Sequence, residues 1–407
     1  MRLFLAAAAV TALAIPAAGQ GTATPYGAGC TAPLARAFGF APNPGAGELQ
    51  LYQTGVVTGS VPFALLGFSA TSWGAVALPL PLTSLGLPTC SVLAEPVLLA
   101  GATAPGGVAE YELTVPGATT LLGGQLFAQW VHAGDGSLGG ALPVTLSAGV
   151  AFTFGTTLGM PGFTVNGDPT SAGGATWTYV ATSGGIAYDL RGKLYKPGTP
   201  PAGGHANHPA VVISHGFGGN VNAYSSQIAN TMRSWGLVCI MVNLTHAANV
   251  PLGAPGLATE VGASAANVLR NRKCVDLLQS LGYVDMRRLA AHGHSMGAFA
   301  TGALLGTHQQ TFLVASHTAG GMSTQAGAAA TSVAQAQAIG TPYQLHHGDA
   351  DTVVPLALDQ ALANQLAANP TPHQLVVYPG FTHAQMATDA GMLAAVRVWY
   401  VQHGLLP

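Results

Sequence analysis

The run Ala210-Val211-Val212-Ile213-Ser214 constrains this chain more than any other stretch. Successive residues of a strand point to opposite faces, so an unbroken apolar run leaves neither face fit for water. Such a strand needs cover on both sides, as in a parallel sheet flanked by helices. Leu237-Val238-Cys239-Ile240-Met241-Val242 is a second run of the same kind. Residues 288–292, 311–316, 343–347 and 374–378 are further strand candidates, with helical stretches between them around 225–235, 260–281, 356–368 and 388–403. Strands alternating with helices predict an α/β architecture with a mostly parallel sheet, and the stretches 176–181 and 187–195 predict its antiparallel edge.

Ahead of this region the pattern changes. Between about residues 20 and 152 there is little helical periodicity; instead Glu48 to Gln53, Tyr111 to Val115 and Gln125 to Val131 alternate with period two between Pro and Gly turns. That pattern predicts a small all-β, sandwich-like accessory domain. Residues 153–174, rich in Gly, Thr, Ser and Pro, read as a linker, leaving 175–407 for the α/β domain. At the start, Met1-Arg2, an apolar run from Leu3 to Ile15 and small residues through Gly19 fit a cleaved secretory signal peptide over 1–19 better than an uncleaved anchor. The expected location is therefore extracellular or at the cell surface, without a membrane span once the signal is removed.

Export agrees with four cysteines, for which pairing within each part gives Cys30–Cys90 and Cys239–Cys274; the competing reading of the second pair is two buried thiols. No Cys/His spacing suggests zinc, and neither a metal nor another cofactor is expected. Only 6% of residues are charged and the net charge is −2, which gives no electrostatic reason to expect a nucleic acid as partner.

Gly293-His294-Ser295-Met296-Gly297 follows a buried strand candidate and opens an Ala-rich helix. A serine on a sharp strand-to-helix turn is exposed for attack, and the tight turn excludes side chains two residues to either side. A serine hydroxyl needs a base, the base an orienting acid, and the developing oxyanion two fixed N–H donors. In the order serine, acid, histidine, the acid is Asp351 in the loop after 343–347, with Asp349 as its rival. The base is His383, in the loop after the last strand; His373 precedes that strand, His403 lies near the chain end, and His346 and His347 precede the acid. The oxyanion donors are the amides of Met296 and of Phe217 in His215-Gly216-Phe217-Gly218-Gly219, with Gly218 as the alternative to Phe217. Phe217, Met296 and His294 are also the candidate substrate-contacting residues. The connection 317–341 lacks the amphipathic face a lid would need, which predicts an open site.

Together His215-Gly216-Phe217-Gly218-Gly219, Gly293-His294-Ser295-Met296-Gly297, Asp351-Thr352-Val353-Val354-Pro355 and His383 resemble the dienelactone hydrolase, cutinase-like and polyester hydrolase branch of the α/β hydrolases, over roughly 175–407. The resemblance implies hydrolysis of carboxylic esters through an acyl-enzyme without a cofactor, on small or polymeric (polyester or cutin-like) substrates. Two positions depart from it: Ala298-Phe299-Ala300 stand where polyester hydrolases continue with glycines, and no tryptophan stands near 315–318. A substrate wall built on that tryptophan is not carried over. Tyr26-Gly27-Ala28-Gly29-Cys30 and the strand around Trp130 are similar to a β-rich module of secreted bacterial proteins. The competing functional readings are a surface-attachment protein with a non-catalytic hydrolase-like domain, and a peptidase.

Overall fold

The computed structural model describes residues 21–30, 37–87, 89–104, 107–135, 143–183, 186–248, 260–309, 311–325, 327–369 and 371–407. The expected signal peptide lies outside these residues. No helix among them is long and apolar enough to cross a membrane.

A mixed sheet of nine strands organises the C-terminal part. In chain order its strands are β1 (Thr164–Asn166), β2 (Ala175–Ser183), β3 (Ile186–Tyr195), β4 (His208–Ser214), β5 (Val238–Val242), β6 (Val284–His294), β7 (Val314–Thr318), β8 (Tyr343–Gly348) and β9 (His373–Tyr378). Their spatial order is β1-β2-β3-β5-β4-β6-β7-β8-β9, antiparallel as far as β5 and parallel from β5 to β9. The apolar run of β4 is buried along its whole length between β5 and β6, as a doubly covered strand must be. The edge strand β1 lies within the Gly/Thr-rich stretch read as a linker; its Thr164 and Asn166 pair with Thr178 and Thr176.

Helices cover both faces. On one side α1 (Tyr224–Ser234) and α6 (Ala390–Gln402) bury Ile228, Met232, Val396 and Tyr400 against Val211, Ile213 and Met241. On the other, α2 (Ala265–Gln279), α3 (Met296–Thr307), α4 (Val333–Ala338) and α5 (Leu356–Ala368) enclose Val212, Ile240, Leu304, Leu345 and Leu362. Within the expected lid-free connection, α4 is a short helix closed by a Ser332–Gln335 capping box, and its segment packs along α3 so tightly that a Cβ on Gly306 would stand 2.2 Å from the Gln335 carbonyl oxygen.

The two faces explain one failed expectation. Cys239 belongs to the core beneath α1 and α6, whereas Cys274 belongs to the core beneath α2, so the sheet separates the sulfurs. Both are free buried thiols, and burial raises their pKa, which suits packing and not thiolate chemistry. Cys30 and Cys90 do form a disulfide.

The N-terminal part consists of antiparallel sheets. Five strands in the order Thr22–Tyr26, Val144–Thr153, Gln125–Ala133, Val61–Gly67, Leu98–Gly101 face three in the order Ala109–Thr114, Glu48–Gln53, Ala37–Phe40. Leu49 and Leu51 of the smaller sheet share a core with Trp130, Val150 and Phe152 of the larger. The smaller sheet also docks on the α/β part: Phe40 packs against its core, and the buried Gln50 amide donates to the Val284 carbonyl (2.7 Å) and accepts from the Met286 amide (3.2 Å). A belt of charge surrounds that contact, where Asn207 donates to Glu48 and Glu112 while Arg287 bridges Glu110 and Asp285.

Candidate active site

Strand β6 ends at His294 and α3 begins at Met296, so the chain turns on one residue. That residue is Ser295, whose φ of 58° lies in the left-handed region that costs a non-glycine residue energy. Its amide is anchored by the Thr318 carbonyl of β7 at 3.0 Å. Close approach forces the flanking glycines: a Cβ on Gly293 would meet the Gly297 oxygen at 2.4 Å, and one on Gly297 would meet the Ser214 oxygen at 2.1 Å.

The three residues expected to act together meet. His383 Nε2 lies 2.9 Å from Ser295 Oγ, and His383 Nδ1 lies 2.7 Å from Asp351 Oδ2. Asp351 Oδ1 accepts the amides of Val353 (2.8 Å) and Val354 (2.9 Å). Burial alone would raise the Asp351 pKa, but the His383 bond and the two amides outweigh it and hold the carboxyl below its ordinary value. Asp349 instead receives the Gly380 amide at 2.6 Å, tying the acid-bearing loop to the loop of His383. Ser295 itself is 7% exposed.

The loop after β4 commits most of its amides. Gly216 N–H donates to the Tyr224 hydroxyl (2.5 Å), Gly218 N–H to the His246 carbonyl and Gly219 N–H to the Gly216 carbonyl. Among the described residues this leaves the Phe217 amide for an incoming oxygen and removes Gly218 from the role. Met296 is the first residue of α3, where an N–H has no intrahelical acceptor. The Phe217 ring is 69% exposed and stacks over His246.

His294 is buried and its ring packs against Tyr224 and, at 4.9 Å between centroids, against His383, while its Nδ1 meets Thr318 Oγ1 at 2.8 Å. Burial, helped by the neighbouring His383, lowers its pKa to about 3 and keeps it neutral. The other histidines divide as their positions suggest. His346 is buried between Tyr378 and Gln344, His373 bonds the Thr371 carbonyl, and the His403 ring packs at a tilt against Trp399.

Sequence reasoning did not single out Tyr224, His246 or Thr318. Each acts through a hydrogen bond to backbone or imidazole from another element, which no local pattern announces. His215, the first residue of the motif that carries Phe217, steadies the same loop: its Nε2 accepts the Leu244 amide at 3.0 Å, and burial holds it neutral with a pKa of about 3. A set of three side chains with ligand atoms within 4.8 Å, Glu110, His205 and Asp285, lies at the contact between the two parts of the chain, where the Arg287 guanidinium already supplies the cation.

With this geometry in hand, the comparison with known sequences decides the family: the sequence model of the dienelactone hydrolase family matches residues 193–402. The chain belongs to that family. No curated protein matches this hydrolase. Among solved structures it is similar to esterase 2 of Thermogutta terrifontis (17% identity, 61% of this chain and 97% of that one, TM-score 0.45). It is also similar to an S-formylglutathione hydrolase of Agrobacterium tumefaciens (15% identity, 59% and 99%, TM-score 0.47). A cold-adapted esterase from an Arctic intertidal metagenomic library gives 17% identity, coverages of 57% and 94%, and a TM-score of 0.44.

Proposed function

We propose that this hydrolase cleaves carboxylic esters through an acyl-enzyme on Ser295, with His383 as base and Asp351 as its orienting acid. The observation that carries the reading is the continuous bond chain from Ser295 through His383 to Asp351, at 2.9 and 2.7 Å. His383 Nε2 takes the hydroxyl proton as Oγ attacks the carbonyl carbon, and the Phe217 and Met296 amides receive the oxyanion. Collapse expels the alcohol, which His383 protonates; water then attacks the acyl-enzyme with His383 again as base. Asp351, ionised and pinned by two amides, holds the imidazole in the tautomer that presents a bare Nε2 to the serine.

Substrates are proposed to be esters with apolar acyl groups, soluble or displayed on a polymer such as a polyester. In support, Phe217 beside the oxyanion site and Val353 beside the acid are 69% and 65% exposed, so apolar side chains flank an open approach. Export is part of the proposal: the first 19 residues read as a leader, and the Cys30–Cys90 disulfide suits an oxidising compartment.

The test is hydrolysis of p-nitrophenyl acetate and butyrate by wild type and Ser295→Ala. The variant should lose roughly 10⁴-fold or more in kcat. Equal rates would remove the catalytic assignment and leave the surface-attachment reading standing. Turnover of peptide but not ester substrates would favour a peptidase.

A further inference from the structure

Behind Asp351 lies a second buried cluster, His317, His347 and Asp359, that the reaction above does not use. The three side chains are fully buried. Asp359, in the first turn of α5, accepts His317 Nε2 on Oδ1 (2.6 Å) and His347 Nδ1 on Oδ2 (2.7 Å), with the Gly320 amide also on Oδ2 at 3.3 Å. The other nitrogen of His317 faces the Tyr343 hydroxyl at 2.6 Å, a group able to donate or to accept, so His317 finds a partner for both nitrogens in either protonation state.

His347 has no such choice. Its Nδ1 faces the Asp359 carboxylate, and its Nε2 lies 2.9 Å from the Val354 carbonyl and 3.6 Å from Asp351 Oδ2. Both ring nitrogens meet acceptors, and a neutral imidazole donates from only one of them. Two donors require the imidazolium.

We propose that His347 is a positioning residue of this site, held as a buried imidazolium by Asp359, and that it locks the Asp351 loop while setting a positive charge beside the Asp351 carboxylate. The proposal rests on the roles given above to Ser295, Asp351 and His383. Val354 couples the two residues, since its amide holds Asp351 Oδ1 and its carbonyl is held by His347. The charges facing the ring are Asp359 from α5 and Asp351 from the loop; His317 and Tyr343 stand beyond Asp359, and His383 beyond Asp351. His346, next in the chain, turns to Tyr378 and Gln344.

Burial would lower the His347 pKa, yet its bond to Asp359 and the charges and carbonyl around it raise it above the ordinary value. Burial likewise opposes ionisation of Asp359, but the two histidines hold its pKa at about 2. A cation in this place opposes further positive charge along the chain from Asp351 through His383 to Ser295.

Asp359→Asn separates charge from shape, because an asparagine can accept from His317 and donate to His347 Nδ1, leaving the bond to Val354 in place. Correlation of ring nitrogens with carbon-bound protons by NMR at pH 7.5, with His347 assigned by comparison with His347→Gln, reads its protonation directly. Both nitrogens should be protonated in wild type and only one in Asp359→Asn. The acid limb of kcat/KM for p-nitrophenyl acetate should rise by about 0.3 pH unit in Asp359→Asn, a modest shift because the more distant Asp359 charge disappears with the nearer one. A neutral His347 in wild type overturns the proposal even if the variant does not fold. So does an unmoved acid limb in a folded variant whose His347 has become neutral. Should wild type hydrolyse no ester, the roles of Ser295 and its partners fail, while the NMR spectrum still reports whether His347 is charged.

Discussion

Replacing Gln50 by leucine tests whether the N-terminal sheet supports the strand that delivers Ser295. The Gln50 side chain is buried and bonds three groups: the Val284 carbonyl, the Met286 amide and the Tyr52 hydroxyl. Leucine matches its bulk and offers no partner. Tyr52 can turn to the nearby Asp285 carboxylate, which leaves two backbone groups of β6 stranded in a buried contact. Each such group costs about 1–3 kcal/mol, so the variant should lose roughly 2–6 kcal/mol. That is a large share of the ~5–15 kcal/mol that holds a typical protein folded. Urea unfolding followed by tryptophan fluorescence, with ester turnover recorded across the same series, is the assay. Fluorescence and activity should be lost together, at lower urea than in wild type. A change below about 0.5 kcal/mol would refute the reasoning and show that the two parts touch without depending on each other.

Four further outcomes are expected. A fragment beginning at residue 165 should unfold at lower urea than the full chain, since it bares the surface that Phe40 and Gln50 cover; equal midpoints would contradict the docking. Gly297→Ala should abolish turnover and most soluble protein, because the new Cβ would sit 2.1 Å from the Ser214 carbonyl oxygen; purification yield and turnover check it. Tyr224→Phe strips the Gly216 amide of its acceptor and should lower stability by about 1–3 kcal/mol, with kcat falling more than KM changes; unaltered steady-state kinetics would detach Tyr224 from the oxyanion loop. Glu112, raised to about 8 by burial and then by Glu48, Asp285 and Glu110, keeps its proton in the fold well above its ordinary value. Its stabilising contribution is complete below the unfolded pKa and lost as pH rises towards 8, so Tm should fall over that window and fall less in Glu112→Gln.

What the sequence could show depended on range. The continuous apolar runs of β4 and β5 announced a doubly covered sheet because burial on both faces is written locally. The serine, acid and histidine were legible because each sits at a strand end whose order fixes its side of the sheet. By contrast, β1 hides in a polar Gly/Thr stretch because an edge strand buries little. Asp359 reads as an ordinary acid in the first turn of a helix, and only the fold brings His317 and His347 to it. Gln50 reaches Val284 across 234 positions of sequence, a bond no local pattern foretells. The proposed Cys239–Cys274 pairing failed because proximity in the chain says nothing about which face of a sheet a side chain takes.

All four cysteines of the chain are thus out of reach of thiol reagents, two in a bond and two under the core. Cysteines introduced on the surface become the reactive attachment points with no native cysteine removed. Paired dyes placed on the N-terminal sheet and on α6 could then follow, by energy transfer in single molecules, whether the two halves part before the hydrolase half unfolds.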